Sequence, residues 1–285
     1  QSVFNASPMD DYATGHCVCE NCKDWDNPNA ELRKFNWKGI VKECPAVSDR
    51  DVTFANLCAA ALKKRYPDKD YYVYMLSYGH SRPAPVGVKP ADNVIIGSCS
   101  NFFIDRDSVD IASIQKGSTH LEEFMGWGKV TKNIFWRPNA VNPVGWWHGL
   151  PDIAMKETME TWKLIADMNC KGIYIDMVWE HWATQGPQYY LMGLLTWNPR
   201  LDGQAILEDY YRRAFGPVSA EMKAYWELLE STRMDYMKNR KEKKMVKGEQ
   251  NFVEFYNKAF FDKAYGYLDA AAKKAGPADG KYAKR

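Results

Sequence analysis

The sequence predicts an α/β chain: an incomplete (β/α)8 barrel of the TIM type, about its last five strands, followed by a helical C-terminal region. Three observations carry this. Strand-like apolar runs alternate with helical periodicity from Val3 to Asp176, the order expected of parallel βα units. From about Pro187 onward only helical periodicity remains. No glycine-rich phosphate loop follows the first strand, although an open doubly wound sheet usually carries one. Five strands fall about three short of a closed barrel. The chain therefore divides into the C-terminal portion of a barrel over residues 1–200, with a cysteine-rich loop at 12–48, and an α-helical region over 201–285.

The first strand is the short apolar run Val3, Phe4, Ala6, which stops at Ser7-Pro8 and delivers the adjacent acids Asp10 and Asp11. Residues 12–48 show little periodicity and carry Gly, Pro, Asn and Asp, so they read as a long loop that is either functional or tied down. A helix opens at Ser48-Asp49 with a Ser or Asp cap. Val52, Ala55, Leu57, Cys58, Ala61 and Leu62 form its apolar stripe, and Lys63-Lys64-Arg65 complement the C-terminal dipole. Tyr71–Tyr78 and Asn93–Ser98 follow as near-continuous strands, suited to a sheet covered on both faces. A helix around Leu121–Trp127 leads to the strand Asn133–Trp136, and the helix Asp152–Met168 leads to the strand Lys171–Asp176. The remaining helices are Tyr189–Trp197, Gln204–Phe215, Val218–Lys238 and Asn251–Lys274, with Gly216-Pro217 breaking the second from the third.

Composition narrows the function. A net charge of +2 lacks the basic excess of a nucleic-acid binder. The one basic run, Lys238–Lys244, continues a helical pattern as a solvated face. No apolar stretch reaches about 18 residues, so no membrane span is expected. The chain opens on Gln1 in a strand-like run, which reads as part of a longer protein with any export signal upstream. The 11 Trp and 17 Tyr residues suit the apolar faces of sugar rings, though they also suit a core.

Two acidic groups carry the candidate chemistry. Asp10 and Asp11 follow the first strand. Asp176 and Glu180 follow the last, in Ile175-Asp-Met-Val-Trp-Glu-His-Trp182. Catalytic groups of α/β barrels sit at the carboxyl ends of strands, which places both groups on one face. Trp179 beside Glu180 would raise the pKa of that carboxyl and help it keep a proton for delivery. Other strand ends supply Tyr78 with His80, and Trp136-Arg137 with Asn139; together with Trp179 and His181 they make a rim of aromatics and hydrogen-bonding groups. Paired carboxylates in such a rim are the equipment of glycoside hydrolysis. The alternatives are turn caps at Asp10, Asp11 and Asp176, and a surface pair at Glu180-His181.

His16 precedes Cys17-x-Cys19-x-x-Cys22, with Cys44 further on. Cys17, Cys19, Cys22 and Cys44 could close a tetrahedral structural zinc site, form disulfides, or remain thiols. Each reading gives them the same task, folding the loop behind the acids, and no cofactor is expected for catalysis. Cys58, Cys99 and Cys170 read as buried thiols.

Several motifs together resemble one bacterial family. They are Ser7-Pro8-x-Asp10, the Cys17/Cys19/Cys22 triplet, Ser48-Asp49 with Tyr66-Pro-Asp-Lys69, and Tyr78 followed by Pro83 and Pro85. Pro90-x-x-Asn93-Val94, Tyr190–Pro199, Tyr210-Tyr211 and Phe215-Gly216 complete the set. The chain resembles the domain-of-unknown-function 4838 family, which is similar to α-glucuronidases and includes glycoside hydrolase family 163, endo-β-N-acetylglucosaminidases of complex N-glycans. The resemblance implies a (β/α)8 barrel with helices behind it, a glycan or polysaccharide substrate, and export from polysaccharide-degrading bacteria. It places Asp10 at the family's strand-end acid. The usual motif resembles Ser-Pro-Asn-Asp-Gly, and Met9 and Asp11 depart from it. The expected activity is cleavage of a glycosidic bond by carboxylate acid/base catalysis, with a substrate-assisted variant on an N-acetylhexosamine. A carbohydrate-binding relative without catalysis is the alternative.

Overall fold

A computed structural model of the protein describes residues 2–8, 16–37, 40–100, 119–138, 153–175, 182–242 and 252–276. The chain forms two compact units. The first comprises Gln1–Phe102, Gly117–Ala140 and Ile165–Met177; the second comprises Phe103–Lys116, Val141–Leu164 and Val178–Arg285.

The first unit is built on a parallel sheet of the five strands read from the sequence: β1 (Ser2–Asn5), β4 (Tyr71–Ser77), β5 (Val94–Ser98), β6 (Ile134–Trp136) and β7 (Gly172–Ile173), in that spatial order. With its helices this is an incomplete α/β barrel. Period-2 alternation sorts the side chains. Val73, Met75 and Ser77, Val94, Ile96 and Ser98, and Ile134 and Trp136 all point to the helix side and are sealed from solvent. Helix α2 (Ser48–Arg65) packs on β4 and β5 with Val52, Ala55 and Ala59 buried. Helix α3 (Thr119–Val130) packs on β5 and β6 with Leu121, Phe124 and Trp127 buried. Each buried Val, Leu, Ile, Met or Phe among them contributes about 1.5–3 kcal/mol when removed from water, and each alanine less.

On the opposite face large rings lie over glycines. A Cβ on Gly97 would collide with the ring and hydroxyl of Tyr74, and one on Gly172 would meet the Phe135 ring at 3.0–3.3 Å. Tyr74 and Phe135 thus fill the space that two glycines leave, the alternation of large and small that packs a barrel interior.

Three local expectations change. The stretch expected as loop contains a helical turn, α1 (Glu20–Lys23), and an antiparallel hairpin of β2 (Leu32–Trp37) and β3 (Ile40–Pro45). The missed signal is the two-residue separation containing Gly39, a hairpin spacing. Second, the N-cap of α2 is Val47, without a side-chain cap. Ser48 Oγ instead donates to the Pro83 carbonyl at 2.5 Å. The Asp49 carboxylate accepts the amides of Val86, Gly87 and Val88 at 2.6–3.0 Å. Tertiary demand for those oxygens overrides the cap. Third, β7 is a two-residue strand, Gly172–Ile173, inside the longer run expected over Lys171–Asp176.

The second unit is helical. Helix α4 (Met155–Asp167) belongs to it through Leu164, and α5 (Trp182–Trp197), α6 (Gly203–Phe215), α7 (Ser219–Glu242) and α8 (Lys258–Ala275) follow. Helix α5 starts before the expected Tyr189 and runs through Pro187, because Gln185–Tyr189 are buried there. Gln188 Oε1 accepts the Ala154 amide at 2.6 Å. Glu230 of α7 accepts the Lys156 amide at 2.8 Å, and Arg233 pairs with Glu157 at 3.0 Å. Gly216, at φ 49°, ends α6 in a left-handed conformation that favours glycine, as its place before Pro217 predicted. Among the described residues no helix is long and apolar enough to cross a membrane.

Candidate active-site rim and an adjoining histidine–cysteine cluster

In a parallel sheet all carboxyl ends share one edge. The ladder here continues one residue past each strand: Cys99 N donates to Ser77 O at 2.9 Å, Arg137 N to Ser98 O at 2.8 Å and Tyr174 N to Trp136 O at 2.9 Å. Alternation then turns Tyr78, Cys99, Arg137 and Tyr174 away from the helices. The contacts agree: Arg137 Nη1 reaches Cys99 Sγ at 3.6 Å and its guanidinium lies 5.8 Å from the centroid of the Tyr174 ring. Tyr174 is 57% exposed, so this aromatic–guanidinium pair is open to solvent. Tyr74 lies below. Burial first, and then Cys99, push its phenol up to about 12, so it keeps its proton.

Of the residues expected at the site, Tyr78 and Arg137 lie on this rim. Trp136 does not present a face to it. Its neighbour relation to Arg137 puts it on the helix side, wholly buried, with Nε1 donating to the Ser100 carbonyl at 2.6 Å. Strand parity decides between them: a residue next to a rim residue in an extended strand faces the other way. Tyr174 was missed, and parity counted back from Asp176 would have found it. Asp10, Asp11, Asn139, Asp176, Trp179, Glu180 and His181 lie outside the described residues. Ser7 shows how the chain leaves β1: its Oγ accepts the Leu76 amide at 2.9 Å, holding the segment before Asp10 beside β4.

His80 is drawn into a different group. It follows β4 in a 3-10 turn, is 9% exposed, and stands with Nδ1 at 3.4 Å from Cys44 Sγ. The His16 ring meets the His80 ring edge-on at 5.1 Å. The ligating atoms of His16, Cys44 and His80 all lie within 4.8 Å of one another, and those of Cys17, Cys19 and Cys22 form a second such group. The four cysteines expected around one zinc are therefore divided between two clusters, with Cys44 beside the histidines. All seven cysteines are free thiols, and Cys17 Sγ is 3.4 Å from Cys19 Sγ, a non-bonded separation.

The electrostatics differ between the clusters. Burial, then the charge of Arg50, lower the pKa of His16, and burial raises that of Cys44. Hydrogen bonds from Cys19 lower Cys17, whereas bonds to Cys17 and Cys19 push Cys22 up to about 11. Nearby, burial lifts Asp51 to about 6, and its Oδ2 has no hydrogen-bond partner among the described residues.

A family model described as a domain of unknown function, DUF4838, matches residues 1–227. No curated protein and no solved structure matches the chain.

Proposed function

We propose that this chain, which belongs to the DUF4838 family, cleaves a glycosidic bond in a complex glycan or polysaccharide by carboxylate acid/base catalysis. The observation that carries the reading is the common edge of the five parallel strands. Asp10 and Asp11 follow β1 in the sequence, Asp176 and Glu180 follow β7, and barrel enzymes place their catalytic groups after strand ends. The rim itself offers Tyr78 and the exposed Tyr174–Arg137 pair, an aromatic face and a cation of the kind that bind sugar rings and acidic sugars.

In this scheme Glu180, beside Trp179, keeps its proton and delivers it to the leaving oxygen. The adjacent acids Asp10 and Asp11 suit a substrate-assisted route on an N-acetylhexosamine. The sugar's acetamido oxygen attacks the anomeric carbon, one carboxylate of the pair orients it and the other protonates the leaving oxygen in place of Glu180, and water later opens the cyclic intermediate. The route needs carboxylates alone. Export to the cell surface or beyond, where polymeric glycans occur, belongs to the same proposal.

The test is hydrolysis of N-acetylglucosamine-containing glycans and of glucuronic-acid-containing oligosaccharides, followed as release of new reducing ends. Asp10→Asn, Asp11→Asn and Glu180→Gln should each lower kcat at least about a hundredfold. Glycan binding without hydrolysis would replace this reading with that of a non-catalytic carbohydrate-binding relative. Neither binding nor hydrolysis would remove both.

A further inference from the structure

Three metal-ligating side chains that the proposed sugar chemistry does not use converge beyond the end of β4. His16 comes from the segment before α1, Cys44 from β3 and His80 from the 3-10 turn Gly79–Ser81. Their ligating atoms lie within 4.8 Å of one another, and Cys44 Sγ is 3.4 Å from His80 Nδ1. A tetrahedral metal with bonds of about 2.3 Å to sulfur and about 2.0–2.1 Å to nitrogen sets an S···N edge of about 3.5 Å. A thiol–imidazole hydrogen bond has a similar length, so the third residue decides. The Nδ1 of His16 is buried and has no hydrogen-bond partner among the described residues. Leaving such a nitrogen buried and unbonded costs about 1–3 kcal/mol. A metal bound through that nitrogen would supply such a partner.

The backbone holds these three positions in place. Val47 N donates to the His80 carbonyl at 3.1 Å, which fixes the turn against the chain leaving β3. Cys44 is paired across the hairpin with Arg33. Arg50 Nη1 donates to the carbonyl of Cys17, the neighbour of His16, at 2.7 Å. Three ligands from distant parts of the sequence are thus presented together, which is what makes a metal site stabilising.

We propose that His16, Cys44 and His80 are three ligands of a zinc-class metal site, separate from the Cys17/Cys19/Cys22 group. One thiolate and two imidazoles form a borderline donor set that suits Zn²⁺. Three ligands leave a fourth position for water or a further side chain. On binding, the Cys44 thiol releases its proton to solvent and the sulfur keeps the electron pair that bonds the metal. The ion staples the hairpin and the cysteine segment to the end of β4, whether or not the chain cleaves glycans.

Co²⁺ titrated into the chelator-stripped full chain, and then displaced by Zn²⁺, tests this. The expected spectrum has tetrahedral d–d bands and a thiolate-to-cobalt charge-transfer band of one-thiolate intensity in the Cys17→Ser/Cys19→Ser/Cys22→Ser variant. Cys44→Ser should abolish that charge-transfer band. His16→Ala and His80→Ala should each weaken Zn²⁺ binding at least about tenfold. Circular dichroism of the stripped variants separates lost ligation from lost folding, and His16→Ala, on a half-buried segment, carries the test if Cys44→Ser does not fold. The proposal is overturned if the unsubstituted chain binds neither ion, or if the triple variant binds neither ion while remaining folded. It is overturned equally if the His16→Ala chain binds Zn²⁺ as tightly as the unsubstituted chain.

Discussion

Arg50 grips Asp26 at two points, Nε to Oδ1 at 2.8 Å and Nη2 to Oδ2 at 2.5 Å, while its Nη1 donates to the Cys17 carbonyl at 2.7 Å. The tether of the cysteine segment is therefore a guanidinium fork from the first turn of α2, engaging the segment on both sides of α1. The Arg50 and Asp26 side chains are only 10% and 18% exposed, so the pair is well shielded from solvent. Lysine has one point charge where this geometry needs three directed N–H groups. Arg50→Ala should cost about 2–3 kcal/mol, somewhat below a fully buried pair. Arg50→Lys should recover less than half of that, and limited proteolysis should cut first near residues 16–31 in both variants. Urea unfolding midpoints check the ranking, and a lysine variant as stable as the original would refute the fork.

Glu123 on α3 holds two cations. Its Oε1 receives Arg33 Nη1 at 2.7 Å, its Oε2 receives Arg82 Nε, and its own side chain is 4% exposed. Arg33 belongs to the hairpin and Arg82 follows the 3-10 turn, so one carboxylate ties both to α3. Glu123→Gln should destabilise by about 2–4 kcal/mol, because Arg82 loses its carboxylate partner in a shielded place and Arg33 keeps only the more exposed Glu31, 3.0 Å away. Arg33→Met should cost less, since Arg82 still neutralises the acid. Chemical denaturation of the two variants gives the ordering, and equal losses would contradict it.

Gly97 should tolerate no side chain while Tyr74 occupies the inner face. A Cβ there would collide with the tyrosine ring and hydroxyl, so the ring would have to move to admit it. Gly97→Ala should lower stability by about 1–3 kcal/mol, the usual range for overpacking. In a Tyr74→Ala/Gly97→Ala double variant the two losses should fall short of additivity by at least about 1 kcal/mol, since the first substitution vacates the space the second needs. Additive losses would show that the collision is relieved some other way.

Much of the fold was legible because the strands are short and apolar and, except across the Pro-rich turn between β4 and β5, are separated by helices with clear periodicity. All five strands and their parallel arrangement follow from that pattern, as does the helix break at Gly216-Pro217. The hairpin was hidden because its strands lack a clean alternation, Leu32-Arg-Lys-Phe-Asn-Trp37 against Ile40-Val-Lys-Glu-Cys-Pro45. The site was read less completely, for two physical reasons. Strand parity separates Trp136 from Arg137, so one neighbour supports the helix layer while the other lines the rim. Proximity in sequence also put Cys44 with the other cysteines, whereas its partners His16 and His80 are brought to it by the hairpin and the end of β4.

His120, the second residue of α3, makes stability depend on pH. Burial first, and then Arg82, lower its pKa from the ordinary 6.5 to about 4, and Glu123 only partly offsets them. The positive end of α3 acts in the same direction. Above pH 6.5 the imidazole is neutral in both folded and unfolded chains, so it adds no pH dependence. Below 6.5 the unfolded chain takes up the proton first, which favours unfolding, and the loss is complete as pH falls through about 4. Unfolding free energy therefore rises with pH across this window, by about 2–3 kcal/mol from this residue. His120→Gln cannot titrate and should flatten that part of the profile while changing little at pH 7.5. Denaturant midpoints at half-unit steps from pH 4 to 7.5 measure both slopes. An unchanged slope in the glutamine variant would mean that another group governs acid stability.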